Sequence, residues 1–250
     1  MKKPLLKTRF LVYPLMASAL CLALAFNYPE AKTVARPVST PVVDSLDELV
    51  LAAAMYDKLQ LGAAGLSREA FDNALAGWDR LKDEGRLPRE QVMAIADFSK
   101  SSNQKRLFVL DMKSYSLLFQ TLVAHGRNSG KEWATRFSNK LSSFQSSPGF
   151  YITGQTYHGG NGYSLKLDGI EKGINDQAMK RAIVMHGAGY VSEKLIRSQG
   201  YLGRSLGCPA VPLREAKSII DTLKGGACLY IHVPDQGYAR RSPILRDSIG

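Results

Sequence analysis

A glycine-hemmed cysteine constrains this chain more than any other feature. Gly203-Arg204-Ser205-Leu206-Gly207-Cys208-Pro209-Ala210-Val211-Pro212 surrounds the thiol with permissive and then rigid backbone, so neither a helix nor a strand is expected to run through Cys208. A tight turn is predicted instead, in which successive backbone N–H groups can point one way and receive an oxyanion. A thiol does chemistry as thiolate, which needs a base or a positive field, partial exposure, and donors for the charge it creates. The competing reading is a small core residue, since free cysteine is among the most buried types. What separates the two is the segment upstream, an apolar strand candidate from Ala182 to His186 that ends in His186-Gly187.

At 250 residues the chain has room for one catalytic domain and a small appendage, and its composition is globular. Its amino terminus carries Lys2, Lys3, Lys7 and Arg9 with no acid before Glu30, then an apolar run from Phe10 to Phe26 broken by Pro14 and Ser18. That is the pattern of an export signal. Ala23-Leu24-Ala25 supplies a small-x-small cleavage site, so residues 1–25 are expected to be a removed signal peptide rather than a membrane anchor. Cys21 would leave with it, and Leu20 in front of it argues against lipidation. Loss of those four basic residues takes the formal charge from +11 to +7. The mature protein is thus expected in the periplasm or cell envelope, with membrane contact only if the signal stays. A basic surface suits an anionic envelope, and no Lys/Arg run interleaved with aromatics marks a nucleic-acid groove.

Residues 26–43, with Pro29, Pro37 and Pro41, lack an apolar period and read as a flexible linker. Residues 44–100 read as a helical segment: Leu46, Leu49, Val50 and Ala53 form one stripe, and Phe71, Ala74, Leu75, Trp78 and Leu81 form another, with Ser67 as N-cap and Gly85 as stop. From about Lys105 the period changes. Arg106–Asp111 and Tyr115–Ala124 read as a hairpin closed around Lys113, and Phe150–Thr156, Ser164–Asp168, Ala182–His186 and Cys228–Val233 are further strands. Gly159-Gly160-Asn161-Gly162 reads as a hairpin loop, not a phosphate loop. A helix is predicted over Pro212–Lys224, with Leu213, Ala216, Ile220 and Leu223 on its apolar face and Gly225-Gly226 as terminator. Residues 101–235 therefore make a mainly β (α+β) catalytic domain of packed β-sheets with a helix after the cysteine, followed by a tail at 236–250.

With these residues in view, His186-Gly187 followed by Ser205-Leu206-Gly207-Cys208 resembles the YkuD-type L,D-transpeptidase motif. Val123 to Gly130, Tyr163 to Leu167, Arg181 to Ala188 and Gly203 to Pro212 together resemble the murein L,D-transpeptidase catalytic-domain branch of that superfamily. The resemblance implies Cys208 as nucleophile, His186 as base, no cofactor or metal, and peptidoglycan stem peptides as substrate. Gly207, Ser205, Gly187 and Arg204 would serve the substrate or the oxyanion. Two departures stand out: Leu206 where the family has a second histidine, and Ala210 where it has an arginine two residues after the cysteine. Either another cation, Arg204 or Lys166, would then have to hold a substrate carboxylate, or the acceptor differs.

Alternatives remain open in the sequence. Water in place of an amine as acceptor would make the protein an L,D-carboxypeptidase, and loss of catalysis would leave a peptidoglycan-binding module. Cys208 and Cys228 could form a disulfide in an oxidising compartment. A zinc hydrolase using His125, His158 and His186 is a weaker rival, because no close paired-ligand spacing occurs. His125 and His158 read as loop residues with surface or hydrogen-bonding roles, and Cys228 and His232, alternating with Tyr230, as structural strand residues. Oligomeric state is left undefined.

Overall fold

Residues 53–246 are described by the computed structural model; the expected signal peptide, the linker, and the stripe residues Leu46, Leu49 and Val50 lie outside them. The first named helix, α1, spans Arg68–Asp83. Ser67 begins it by accepting the Ala70 N–H at 3.2 Å, and Gly85, at φ +66°, carries the chain out. Phe71, Ala74, Trp78 and Leu81 face the core as their spacing requires.

The strands β1 (Val92–Asp97), β2 (Leu107–Asp111), β3 (Ser116–Thr121), β4 (Gly149–Gly159), β5 (Gly162–Gly169), β6 (Val184–Ala188), β7 (Ala210–Pro212) and β8 (Cys228–His232) form one eight-stranded sheet in the order β3-β2-β1-β8-β4-β5-β6-β7. The remaining helices are α2 (Glu193–Gln199), α3 (Leu213–Leu223) and α4 (Gln236–Arg241). The mainly β class with a helix after the cysteine is the observed one. Both predicted hairpins form. At the first, Asp111 Oδ1 accepts the N–H groups of Lys113 and Ser114 at 2.8 and 2.9 Å; at the second, Gly162 turns the chain at φ +73°.

Three expectations are corrected. The helical segment 44–100 contains a central strand, β1, parallel to β8 from Met93↔Cys228 to Asp97↔His232 and antiparallel to β2. All six of its residues are buried, so both faces demand apolar or paired side chains and the usual alternation vanishes. Leu213 is 64% exposed. It stands in the first turn of α3 over Gly187 and Gly189 with little beyond it, while Ala216, Ile219, Ile220 and Leu223 fill the core. The tail set outside the catalytic domain packs into it instead: Tyr238, Ile244 and Leu245 are buried. Tyr238 OH donates to Glu171 Oε2 at 2.9 Å, Phe150 N–H donates to the same oxygen at 2.7 Å, and Ser242 Oγ donates to Oε1.

Helix α1 approaches the sheet so closely that a Cβ on Gly77 would lie 2.0 Å from the Phe150 ring. Alanine is the better helix former by about 1 kcal/mol, yet Gly77→Ala should destabilise the protein by about 1–3 kcal/mol through overpacking. Urea denaturation checks this, and a variant as stable as the parent would refute so tight a contact.

Candidate active site

The site is built where β5, β6 and β7 run side by side. Ser164 pairs with His186, and His186 pairs with Ala210. The next step along places Lys166 opposite Val184, and the Val184 N–H reaches the Cys208 sulfur. By the two-residue period of a strand, His186 and Val184 share one face of the sheet. The other face carries Leu165, Leu167 and Met185, all buried in the core. A Cβ on Gly187 would lie 2.7 Å from Ala216 Cβ, so the glycine of the His-Gly pair lets α3 close against β6. That is a packing reason for the glycine, beside the substrate or oxyanion role expected of it.

The cysteine turn is held by hydroxyls. Ser205 Oγ donates to the Cys208 carbonyl at 2.6 Å and accepts the Gly207 N–H at 3.0 Å. Ser146 Oγ donates to the Gly207 carbonyl at 3.1 Å and accepts the Gly126 N–H at 3.0 Å, and Ser129 Oγ accepts the Ser146 N–H at 2.9 Å. Gly207 sits at φ +128°, and a Cβ there would meet Ile183 at 2.8 Å and the Gln145 carbonyl at 2.9 Å. The turn therefore needs glycine on two counts. Its N–H, expected to serve an oxyanion, is engaged by Ser205. The Cys208 N–H lies against its own sulfur instead.

Cys208 is 7% exposed and its Sγ donates to the Ala182 carbonyl at 3.7 Å. Burial pushes its pKa up, opposed by the Val184 N–H, by Arg181 and by its own N–H. His186 is 4% exposed. Burial lowers its pKa, against the bond to the Gly187 carbonyl. That carbonyl, 3.0 Å from Nδ1, can only accept, so the proton sits on Nδ1 and the Nε2 lone pair is free. Burial thus disfavours the charged form of both groups. No hydrogen bond joins Cys208 to His186 among the described residues; the register sets His186 opposite Ala210, two residues beyond the cysteine.

Other candidates fall elsewhere. Arg204 Nη1 donates to the Arg127 and Gly130 carbonyls, both at 3.2 Å, and its guanidinium lies 5.4 Å from the Tyr201 ring. Lys166 is exposed, with its ammonium 5.9 Å from the Tyr157 ring. Leu206 is 57% exposed beside the cysteine, where the family pattern has histidine. His125 is buried rather than on the surface: Arg106 Nη2 donates to its Nδ1 at 2.7 Å. Burial, and then Arg106, hold its pKa down to about 3. His158 is exposed near the β4–β5 hairpin, 5.2 Å from the Tyr163 ring. The three histidines of the zinc reading are therefore not gathered, and no group of metal-ligating side chains occurs among the described residues. Cys208 and Cys228 are both free thiols. Strands β4, β5 and β6 separate β8 from β7, each spacing being about 4.8 Å, which rules out a bridge.

Three residues that hold the site had no assigned role in the sequence. Ser129 lay inside a stretch that carries the resemblance, whereas Ser146 sits in a polar run without period. Arg181 closes on that run from the start of β6: its Nη1 donates to the Ser138 carbonyl at 2.7 Å, and its Nη2 donates to the Gln145 carbonyl.

Residues 62–232 match the family described as the L,D-transpeptidase catalytic domain, and the chain belongs to that family. No curated protein is a significant match. Among solved structures, an L,D-transpeptidase from Mycobacterium smegmatis is 13% identical over 57% of this chain and 59% of its own, with a TM-score of 0.35. One from Stackebrandtia nassauensis is 13% identical over 67% of each chain, with a TM-score of 0.36. The helical cell shape determining protein Pgp2 from Campylobacter jejuni is 12% identical over 58% and 48%, with a TM-score of 0.38. This chain thus spans less than two thirds of the length of the mycobacterial structure.

Ser205→Ala removes both hydroxyl bonds that brace the turn and leaves the Gly207 N–H without its acceptor. A loss of about 1–3 kcal/mol is expected, read as a lower urea midpoint with the slope unchanged. An unchanged midpoint would mean that the turn is held without Ser205.

Proposed function

We propose that this protein is a cysteine acyltransferase acting on peptidoglycan stem peptides, of the L,D-transpeptidase type, with Cys208 as nucleophile and His186 as base. The observation that carries the reading is the His186 imidazole, with Nδ1 on the Gly187 carbonyl and Nε2 left as acceptor, on the strand that pairs with β7 just past the braced glycine turn of Cys208. Membership of the family supports the reaction class. The missing motif histidine does not remove the base, because His186 is the histidine of the His-Gly pair.

In this mechanism Cys208 Sγ attacks the carbonyl of the L-centre of diaminopimelate in a tetrapeptide stem while its proton passes to His186 Nε2. The C–N bond to the terminal D-alanine breaks, and His186 returns the proton to the departing amine. A thioester remains on Cys208. An amine of a neighbouring stem, or water, attacks it, loses a proton to His186, and expels the sulfur, which is reprotonated. With the Gly207 N–H engaged by Ser205, the Cys208 N–H is assigned to the developing oxyanion once it turns from its own sulfur, in a class of contact worth about 2.7–4 kcal/mol per donor. Burial disfavours the charged form of each partner, which favours proton transfer in step with attack. A peptidoglycan substrate would require export, for which residues 1–25 would be the signal.

Incubating reduced protein with purified tetrapeptide muropeptides, and separately with a carbapenem, tests the reading by mass spectrometry. An adduct on Cys208 and release of D-alanine are expected. Dimer products identify an amine acceptor and tripeptide identifies water. Unchanged muropeptides and no adduct, with the Cys208 thiol shown to be free, would point to a binding module. Cys208→Ala should abolish turnover while keeping the fold, and His186→Ala should lower it by a factor of about 10²–10⁴. Leu206→His should be tolerated.

A pH profile offers a separate check. His186 must be neutral to accept the proton, and burial lowers its pKa below 6.5. The acid limb of kcat/KM should therefore lie below pH 6.5, with activity held above it. A limb above that value would assign the proton to another group.

A further inference from the structure

Arg181 stands at the entrance to β6, next to Ala182, whose backbone takes the left-handed φ of +53° and whose carbonyl accepts from the Cys208 thiol. Its terminal nitrogens are fully engaged. Nη1 donates to the Ser138 carbonyl and to Ser147 Oγ, and Nη2 donates to Ser143 Oγ at 3.2 Å and to the Gln145 carbonyl. These acceptors are all neutral. Among the described residues no carboxylate pairs with Arg181. The guanidinium also abuts the cysteine turn, since a Cβ on Gly207 would lie 3.3 Å from its Nη2 and 2.9 Å from the Gln145 carbonyl.

A partly buried guanidinium bound only to neutral oxygens keeps an uncompensated positive charge, costly unless an anion forms nearby. The groups within its electrostatic reach are Tyr151 of β4 and Cys208. Tyr151 is fully buried, donates its hydroxyl to the Ser147 carbonyl at 3.0 Å, and has its pKa pushed up by burial. The Tyr190 phenol is likewise pushed up by burial, to about 12. Burial disfavours the charged form of His186 on β6. The anion that can form here is the Cys208 thiolate, or the oxygen of the carbonyl it attacks.

Resting on the assignment of Cys208 as nucleophile, we propose that Arg181 is a positioning residue and the fixed cation of the cysteine turn. It clamps residues 138–147 over Gly207 and presents its charge to the sulfur. Because both Nη groups hold the loop, it acts on the nucleophile and not as a grip for a substrate carboxylate.

The test is the rate of Cys208 alkylation by iodoacetamide as a function of pH, read at that peptide by mass spectrometry in the full chain. Arg181→Gln keeps hydrogen-bonding groups for the loop and removes the charge; Arg181→Lys keeps the charge and loses the fork. Arg181→Gln should alkylate roughly tenfold more slowly at neutral pH, with its inflection moved upward, and Arg181→Lys should stay within about threefold of the parent. Equal slowing in both variants, or an unmoved inflection in a folded Arg181→Gln protein, would reduce Arg181 to a loop brace. Should Arg181→Gln fail to fold, Arg181→Lys carries the test: a retained inflection supports the charge role and a tenfold slowing overturns it. Turnover of tetrapeptide by the parent keeps the two readings apart. Turnover with an unmoved Arg181→Gln inflection removes the role of Arg181 alone, while a charge-dependent inflection without turnover removes acyl transfer and leaves Arg181 in place.

Discussion

Parallel pairing of β6 with β7 is the constraint on which the site depends. Two parallel strands cannot be joined by a tight turn, so the chain must cross over between them. Residues 189–209 make that crossing through α2, and the cysteine turn is its last part. The turn's position is therefore set by the sheet: Ala210 must lie opposite His186 for β7 to pair, and Cys208, two residues earlier, arrives beside Val184. The histidine and the thiol keep their places because backbone bonds between strands hold them. The serine hydroxyls then fix the orientation of the turn within that frame.

Burial determines the chemistry of the pair. Each group is nearly closed off from water, and exclusion of water disfavours whichever form is charged, raising the thiol and lowering the imidazole. On the proposed mechanism, these shifts keep His186 available as a base and leave Cys208 to become nucleophilic only as its proton departs. The guanidinium proposed to act from behind the turn would offset part of that penalty on the thiolate without exposing the thiol.

Much of this was legible in the residues, and the gaps have physical reasons. Gly207 and Pro209 marked the turn because backbone freedom is a local property, and Ser67 and Gly85 bounded α1 for the same reason. Strand β1 was missed because a central strand between β2 and β8 is buried on both faces, which erases the alternation that identifies strands. The burial of His125 depends on Arg106, at the entrance to β2, whose guanidinium caps the imidazole; no spacing rule joins them. Arg181 was likewise silent, because its partners lie in a polar loop without period, and only the closed fold brings Ser138, Ser143, Gln145 and Ser147 around it. Gly187 was legible as a motif residue while its reason, the approach of Ala216, was not.

The carboxylate of Glu171 is buried without a cation among the described residues, and two of its three donors, Tyr238 and Ser242, come from beyond the last strand. Ending the polypeptide after β8 would leave that carboxyl, on the loop that leads into β6, facing little more than the Phe150 amide. A folded fragment therefore includes residues 236–245, whose Tyr238 and Ser242 hydroxyls cover the Glu171 carboxyl from beyond the sheet.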